Sequence, residues 1–242
     1  MSSAADAWHG YKRRSLELLE VTEGDAVLDV GCGPGDDARA LAMLVPGVSV
    51  IGVDVSAEKV AEAHRRALGL PRPVEFRLGD AYRLEFEDGT FDACRADKVF
   101  HHLDDPRKAL AEIARVARSS ARVVVSDVDY ETLVIDARDA VLTRRVLNHH
   151  ADAMPSGRIG RQLPALFRDV GLATVEVFPY TAVVTEYDEE VLKLREKAER
   201  ARDAGVIAAA DAVGWVASLE DSDRAGRFFC ALTVFTVRGR KP

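Results

Sequence analysis

Residues 27–35 have the sequence Val-Leu-Asp-Val-Gly-Cys-Gly-Pro-Gly, and this stretch decides how the rest of the chain is interpreted. Its first four residues are typical of a buried strand and include one acid, Asp29. Three glycines follow at alternate positions, Gly31, Gly33 and Gly35. Because glycine has no Cβ, such a loop can adopt positive φ angles and bring its backbone amides against a ligand. The stretch therefore predicts a strand that leads directly into a ligand-binding loop.

The glycine spacing indicates which kind of ligand the loop binds. A dinucleotide-binding loop has the pattern Gly-x-Gly-x-x-Gly, with the pyrophosphate at the N-terminus of the next helix. Here the pattern is Gly-x-Gly-x-Gly, and Asp29 lies two residues before the first glycine. A buried acid at that point suits a ligand that carries a cation. We expect a helix over 38–44 to follow, capped by Asp36 and Asp37.

Two more acids follow the next two predicted strands. Residues 48–55 form a run rich in valine, typical of a buried parallel strand, and this run contains Asp54. Asp54 lies about 20 residues beyond the glycine loop, where an acid can accept hydrogen bonds from ribose hydroxyls. Residues 74–78 predict a third strand, which is followed by Asp80. Each acid alone can be a turn former, but together they place carboxylates at three successive strand ends.

The nonamer at 27–35 resembles motif I of the class I S-adenosylmethionine-dependent methyltransferases. The similarity covers about residues 21–127 and is greatest to the group that contains ubiquinone/menaquinone-type methylases and tailoring enzymes of secondary metabolism. It implies S-adenosylmethionine as cofactor, whose ammonium and sulfonium explain an acid in the strand. It also implies that Asp80 accepts a bond from the adenine amino group. The cofactor-binding residues implied are Asp29, Gly31, Gly33, Gly35, Asp54, Val55, Asp80, Ala81 and Ala96.

Composition limits the class of protein. The 242 residues are 48% hydrophobic and 30% charged, which is ordinary for a globular domain, and the net charge is −7. An acidic chain is repelled by a phosphate backbone, so we expect no nucleic-acid partner. Three scattered cysteines favour a reducing compartment and predict no metal cluster. With neither a signal peptide nor a long apolar run, we expect a soluble, cytoplasmic protein without a membrane partner.

The alternation of strands and helices predicts an α/β fold with a doubly wound, mostly parallel sheet, in which ligands bind at the carboxyl ends of the strands. We expect a single domain over 1–242 whose cofactor-binding core is 21–127. Two helical inserts, 128–160 and 188–226, are expected over the substrate side. The second insert precedes a last, antiparallel strand and is predicted to act as a lid or a dimer surface, so a homodimer is one expectation.

Three local expectations can be compared directly with a structure. The fifth strand is predicted at 123–127. A helix is predicted over 136–153. Another charged helix is predicted over 189–204, with Glu189 and Lys193 paired at four-residue spacing.

Methyl transfer from a sulfonium is an in-line displacement, so the enzyme can accelerate it by positioning alone. A general base helps when the acceptor must lose a proton, and histidine titrates in the right range. His102 and His101 follow the fourth predicted strand and are the catalytic candidates. Alternatively, the two histidines only form part of the pocket wall. Two candidate substrate residues, Trp8 and Tyr11, lie in a predicted amphipathic helix over 8–20; their alternative role is packing. Two others, Asp129 and Tyr130, follow the fifth strand.

The predicted function is methyl transfer from S-adenosylmethionine to a small molecule at oxygen, nitrogen or carbon. Two alternatives stay open at this point. An NAD-dependent oxidoreductase is disfavoured by the glycine spacing and by Asp29. A catalytically silent cofactor-binding or scaffold protein is distinguished only by an absence of turnover.

Overall fold

A computed structural model describes residues 8–242 as one twisted sheet with helices on both faces. The strands are β1 (Ala26–Val30), β2 (Ser49–Asp54), β3 (Val74–Leu78), β4 (Phe91–Asp97), β5 (Ala117–Val128), β6 (Val134–Ile135), β7 (Ala173–Val184) and β8 (Cys230–Arg240). The expectation that the first residues carry no targeting segment falls on 1–7, outside the described part of the chain.

The helices alternate with the strands in the first half of the chain and cluster in two groups in the second half. They are α1 (His9–Glu17), α2 (Asp36–Leu44), α3 (Ala57–Ala67), α4 (Pro106–Val116), α5 (Ala140–Ala153), α6 (Ile159–Asp169), α7 (Glu189–Leu192), α8 (Leu194–Asp203) and α9 (Ala209–Arg224). Short 3₁₀ turns follow β4 at Phe100–His102 and β5 at Tyr130–Thr132.

The strands β3, β2, β1, β4 and β5 lie side by side in this order and are parallel. β8 runs antiparallel to β5, and β7 is antiparallel to β8 along its other edge. The predicted doubly wound, mostly parallel sheet with a final antiparallel strand is confirmed. The carboxyl ends of β1, β2 and β4 are therefore neighbours, as a binding site at this edge requires.

Side-chain alternation along β1 explains the layers. Leu28 and Val30 face a buried apolar cluster that includes Ile113 of α4 and Phe167 of α6. Val27 belongs to the cluster on the opposite face, under α2 and α3. Because successive side chains of a strand point to opposite faces, Asp29 lies on the same face as Val27. One acid is thus buried beneath the helix that follows the glycine loop.

The second half of the chain adds a third apolar cluster, around Trp215 of α9 and including residues of α5 and α8. The Trp215 indole Nε1 donates a 2.9 Å hydrogen bond to Thr143 Oγ1, which satisfies its one polar atom. β6 pairs with Ala231 of β8, while β5 pairs with β8 from Val234 onward. Since β8 is antiparallel to β5, this arrangement places the inserts at the carboxyl ends of the parallel strands.

Several sequence-based boundaries were wrong, each for a local reason. α2 begins at Asp36, with Gly35 in the left-handed region at its N-cap, so Asp36 and Asp37 lie inside the first turn instead of capping it. β5 begins six residues earlier than predicted, at Ala117. The helix predicted over 136–153 begins at Ala140, because Asp139 caps it through bonds from the Val141 and Leu142 backbone N–H groups.

The charged helix predicted over 189–204 is two helices. Lys193 adopts the left-handed conformation (φ 53°, ψ 38°) and separates α7 from α8. The predicted Glu189–Lys193 pair is therefore wrong: the Glu189 carboxylate accepts bonds from the Tyr187 hydroxyl and the Arg195 backbone N–H instead.

Candidate functional site

The three glycines of the first loop have two different structural roles. A Cβ on Gly31 would lie 2.3 Å from Val99 Cγ2, and one on Gly35 would lie 2.5 Å from the Phe76 ring. Gly33 (φ 54°) has no atom within 4 Å of its Cβ position, so its open side faces a cavity. Two of the glycines keep the loop closely packed, and the third leaves room for a ligand.

Asp54, at the end of β2, holds this loop in place. Its Oδ2 accepts a 2.8 Å bond from the Gly33 backbone N–H, and its Oδ1 accepts a 2.9 Å bond from the Ser56 backbone N–H. Ser56 in turn caps α3. A carboxylate has about four acceptor positions, so Asp54 can still accept bonds from a ligand.

Asp54 lines a cavity of about 360 Å³, which we call the Asp54 cavity. Its other walls include Val55, Asp80, Ala81 and His102, and they come from the ends of β2, β3 and β4. Asp80 Oδ1 accepts a 2.9 Å bond from the Tyr82 backbone N–H, which fixes the loop after β3. The predicted residues Gly31, Asp54, Val55, Asp80 and Ala81 are thus brought together around one space.

A second cavity of about 290 Å³, the charged cavity, adjoins the first at Gly31, Lys59 and Lys98. It is lined by Gly33 and by eight charged residues. Four are acids (Asp29, Asp36, Asp37, Asp97) and four are bases (Lys12, Lys59, Arg95, Lys98). The wall is therefore nearly neutral, with both signs within reach of a bound molecule.

The Asp29–Arg95 pair lies at the base of the charged cavity. Arg95 Nη1 is 3.1 Å from Asp29 Oδ1 and 3.1 Å from Asp37 Oδ2, and the Arg95 side chain is 2% exposed. Burial raises the pKa of Asp29 to about 6, although Arg95 opposes the shift. Burial likewise raises the pKa of Asp97. Charges this deeply buried are costly unless they are paired.

The pairing in the charged cavity is incomplete. Among the described residues, Asp29 Oδ2, Asp97 Oδ1 and Arg95 Nε are buried without a hydrogen-bond partner. Lys12 of α1 forms ion pairs with two acids of this cavity, with Nζ 3.0 Å from Asp37 Oδ2 and 3.4 Å from Asp97 Oδ2. Unpartnered acceptors and a donor beside open space suit a ligand that carries both an ammonium and a carboxylate, because such a ligand satisfies both kinds of group.

A third cavity of about 390 Å³, the apolar cavity, lies between the strand ends and the second insert. Trp8 and Tyr130 line it, together with Lys98 and Lys197. Its apolar walls come mainly from β5, β7, β8 and α7–α8; they include Val128, Leu133, Ala182, Val184, Leu194 and Leu232. Lys98 lines all three cavities, so the three spaces meet at the end of β4.

The two candidate catalytic histidines occupy different positions. His101 is buried, and its Nδ1 lies 2.7 Å from Asp127 Oδ1. Because the carboxylate only accepts, this contact assigns the proton to Nδ1 and leaves Nε2 as the basic nitrogen. The His102 ring lies 3.8 Å from the His101 ring and lines the Asp54 cavity. Partial burial and the neighbouring His101 lower the pKa of His102.

Besides Gly35 and His101, three further predicted site residues line none of the three cavities. Tyr11 is 1% exposed, and its hydroxyl donates to Asp97 Oδ2 at 3.3 Å, so it supports the wall of the charged cavity. Asp129 is fully buried and forms a bidentate salt bridge with Arg161. Ala96 is buried in β4 opposite Val30 of β1. Direct ligand contact by these three stays a prediction, while the structure shows them as supporting residues.

Sequence reasoning missed six bases that line the cavities, namely Arg95 and the lysines Lys12, Lys59, Lys98, Lys193 and Lys197. Arg95 carried a signal, since a charge in the middle of an apolar strand must be paired when it is buried. The lysines carried none. Lys12 lies in a charged helix, Lys98 follows a strand, and Lys197 lies in a run of surface-like charges.

Two further observations concern residues 8–242 as a whole. They contain no group of three or more histidine, cysteine or acidic side chains that could hold a metal ion. None of their helices combines the length and the apolar character needed to cross a bilayer.

Known proteins resemble this chain in sequence and in fold. Residues 28–125 match a family described as a methyltransferase domain. An uncharacterized 37.1 kDa protein in transposon TN4556 of Streptomyces fradiae is 40% identical over 97% of this chain and 68% of its own length. The O-methyltransferase rstn1 of Aspergillus nomiae is 33% identical over 66% of this chain and 69% of its own length. Of three other curated methyltransferases that it matches, the chain spans between 47% and 62% of the length.

The fold comparison covers nearly the whole chain. The crystal structure of the YcgJ protein from Bacillus subtilis superposes with a TM-score of 0.68, at 23% sequence identity, over 96% of this chain and 98% of that one. The match to the methyltransferase domain begins at Leu28, in the strand that leads into the glycine loop, the stretch whose resemblance first indicated the family. This chain belongs to the class I S-adenosylmethionine-dependent methyltransferases, the enzymes that use S-adenosylmethionine as methyl donor.

Proposed function

We propose that this chain transfers the methyl group of S-adenosylmethionine to an oxygen atom of a small apolar molecule. We call the Asp54 cavity and the charged cavity together the donor cavities. The observation that carries the proposal is the position of Lys98, which lines both donor cavities and the apolar cavity. A donor and an acceptor bound in these spaces meet at the end of β4, as an in-line displacement requires. The name of the relative rstn1 as an O-methyltransferase supports oxygen as the acceptor atom.

The residues around the Asp54 cavity fit the nucleoside part of the cofactor. Asp54 uses one bond at each oxygen to hold the loop, which leaves positions for two ribose hydroxyls. Asp80 uses Oδ1 for the Tyr82 N–H, and we assign its Oδ2 to the adenine amino group. We assign the backbone of Ala81 and the exposed side chain of Val55 to the same nucleoside site.

The charged cavity fits the amino-acid part of the cofactor. Its near balance of acids and bases matches a group that is itself zwitterionic, whereas a diphosphate would meet Asp29, Asp37 and Asp97. We assign the unpartnered oxygens of Asp29 and Asp97 to the ammonium and Lys12 to the carboxylate. The open side of Gly33 leaves space for the chain between these groups. This balance is the reason to set the NAD-dependent alternative aside.

When bound, the cofactor supplies a methyl group already activated by the sulfonium, so the protein's part is to position the acceptor and to remove its proton. We propose His102 as the base, because it lines a cavity beside Lys98. His101 is the positioning residue: Asp127 fixes its ring, and this ring contacts the His102 ring with their planes tilted by 44°. Trp8 and Tyr130 exclude water from the acceptor side.

The base assignment predicts a specific kinetic effect. His102→Ala should lower kcat by about 10²-fold or more, the usual contribution of a general base, and should remove the acid limb of the pH–rate profile. Because the pKa of His102 is lowered, that limb in the wild type should lie below the usual histidine value of 6.5. Initial rates with an identified acceptor, measured as formation of S-adenosylhomocysteine, test this. An unchanged kcat and pH profile would leave His102 a residue of the wall only.

The activity itself is tested in two steps. Calorimetric titration with S-adenosylmethionine and S-adenosylhomocysteine should show binding, and binding of NAD instead would contradict the proposal. A panel of phenols and hydroxy acids should then produce S-adenosylhomocysteine with at least one acceptor. Tight cofactor binding without turnover over the whole panel would favour the alternative of a silent binding or scaffold protein.

Further proposals concern organisation and setting. We infer that 1–242 acts as one domain, with 21–127 binding the cofactor and with the inserts 128–160 and 188–226 covering the acceptor. The composition supports action in the cytoplasm on a small molecule and not on a nucleic acid. A homodimer through the second insert, where Val213 of α9 is 71% exposed, is tested by light scattering of the eluted protein.

A further inference from the structure

We propose that Lys197 selects the acceptor, by binding an anionic oxygen on a molecule whose body is otherwise apolar. The inference rests on the proposed function, since it assigns the acceptor side of that site. It adds that the acceptor carries two functional groups, an anionic anchor at Lys197 and a separate atom that receives the methyl group.

The composition of the apolar cavity is the first observation. Its charged lining residues are Lys98, Lys193 and Lys197, and the part of the chain that the structure describes contributes no acid to this wall. The charged cavity next to it holds four acids and four bases. The two adjoining cavities therefore suit different ligands. The charged cavity suits a zwitterion, and the apolar cavity suits an apolar molecule that carries a negative charge.

The way in which Lys197 is held is the second observation. The Lys197 side chain is buried, and Nζ donates to the Leu192 carbonyl oxygen at 2.8 Å and to the Lys193 carbonyl oxygen at 3.4 Å. The Leu192 carbonyl is available because the left-handed Lys193 ends α7 and starts α8, while the Lys193 carbonyl also accepts the Lys197 backbone N–H at 3.1 Å. The break in the insert thus fixes an ammonium in the wall of the cavity.

The missing counter-charge is the third observation. No carboxylate oxygen between residues 8 and 242 lies within 4 Å of Lys197 Nζ, so no salt bridge neutralises it. The two carboxylates with the largest electrostatic effect on the Lys197 ammonium are those of Glu196 and Glu189. Glu189 bonds Tyr187 and Arg195, and Glu196 pairs with Arg200. Burial lowers the pKa of Lys197 to about 8, as expected for an ammonium that lacks a carboxylate partner.

The position of Lys197 relative to the donor fixes its role. Lys197 lines the apolar cavity only, whereas Lys98 also lines both donor cavities. The group held by Lys197 is therefore away from the junction and anchors the molecule. The body of the acceptor lies against Val128 and Leu232 and reaches the donor where Lys98 stands.

Matched probes test the anchor without knowledge of the natural acceptor. The full chain, saturated with S-adenosylhomocysteine, is titrated calorimetrically with 2-naphthoate, with its neutral counterpart 2-naphthamide and with 2-naphthol. We expect naphthoate to bind at least about tenfold more tightly than naphthamide, which is the usual weight of one charge-assisted hydrogen bond. The naphthol titration shows whether a phenol oxygen serves as anchor as well as a carboxylate does.

Lys197→Met should abolish this preference and leave the affinity for naphthamide and for S-adenosylhomocysteine unchanged. Lys241→Met is the matched control, because Lys241 also donates to a backbone carbonyl, that of Ala114, but lines none of the three cavities. Lys98→Met is the competing variant: loss of the preference there, with Lys197→Met unaffected, would overturn the assignment.

The remaining outcomes are also decisive. Equal affinity of the wild type for naphthoate and naphthamide overturns the proposal even if Lys197→Met does not fold, and so does failure of all the probes to bind. If S-adenosylhomocysteine does not bind, the proposed function fails, while the preference between the probes can still be measured on the chain alone.

Discussion

At the scale of single residues, Asp54 shows how one carboxylate can serve both fold and ligand. Its two oxygens hold the Gly33 and Ser56 backbone N–H groups, which shape the glycine loop and the start of α3. The same side chain is only 6% exposed and yet lines a cavity. A ligand that bonds Asp54 therefore bonds a group that is already oriented, and loses little affinity to rearrangement.

Asp54→Ala should consequently weaken cofactor binding and loosen the loop. Hydrogen bonds to a charged group are each worth about 1.5–3 kcal/mol, so we expect the affinity for S-adenosylhomocysteine to fall by about tenfold or more. Calorimetric titration measures the effect. Asp88→Ala is the control, since Asp88 is exposed and pairs with Arg115 outside the site. Equal affinity of Asp54→Ala and the wild type would remove the ribose assignment.

Arg95 shows the limit of sequence reasoning at this scale. The pattern over residues 91–99 predicts the fourth strand and its exit, and a buried arginine there needs an acidic partner, but the pattern does not identify which one. The parallel register of β1 and β4 brings Asp29 beside the arginine, and its other partners are Asp37 on α2 and Asp97 on its own strand. The three acids at strand ends were predicted correctly in position, whereas the bases that balance them became visible only in three dimensions.

At the scale of elements, the turn from β1 into α2 depends on its glycines in unequal ways. Gly35 has φ 80°, and an added Cβ would overlap the Phe76 ring and approach Ala63 at 3.0 Å. Gly33 has φ 54° and open space beside it. Both positions disfavour alanine by backbone strain, but only Gly35 adds a steric clash within the fold.

Gly35→Ala should therefore destabilise the protein by about 2–5 kcal/mol, the sum of left-handed strain and overpacking. Gly33→Ala should cost only about 1–2 kcal/mol, but it should weaken binding of S-adenosylhomocysteine, because its methyl group projects into the charged cavity. Chemical denaturation and calorimetry separate the two effects. An equal loss of stability in both variants would contradict this account of the loop.

Strands were easier to predict than breaks within helices. The runs of valine in β1, β2 and β5 need burial on both faces, which a parallel sheet provides, and local pattern suffices to locate them. The break at Lys193 has no such pattern, because lysine is a good helix former. The left-handed conformation there is set by packing of the insert, in which Leu192 and Leu194 are both buried on either side of the break.

At the scale of the whole molecule, the site is assembled from distant parts of the chain. The apolar cavity takes Trp8 from before α1, Lys98 from the end of β4, Lys197 from α8 and Leu232 from β8. The donor cavities come almost wholly from the first half of the chain. The donor side could therefore be predicted from local motifs, whereas the acceptor side depends on how the inserts pack and could not.

The packing of these inserts should also make the stability of the whole fold sensitive to acid. His150 of α5 is 8% exposed, has no hydrogen-bond partner within the described chain at either ring nitrogen, and contacts the Tyr130 ring. Burial, together with Lys197 and Arg200, lowers the pKa of His150 to about 3. Between this value and about 6.5, the unfolded chain binds a proton that the folded state does not bind, so the free energy of unfolding falls as the pH is lowered.

At pH 5 this difference amounts to about 2 kcal/mol, at 1.36 kcal/mol for each pKa unit below 6.5. His150→Leu should remove that part of the loss. The free energy of unfolding of the variant should therefore fall less than that of the wild type as the pH is lowered from 7 to 5. The measurement is urea denaturation at each pH. The difference between the two proteins cancels the titration of shared groups such as Asp29, whose raised pKa acts in the opposite direction. A parallel pH dependence of His150→Leu and the wild type would show that the His150 ring is protonated within the fold.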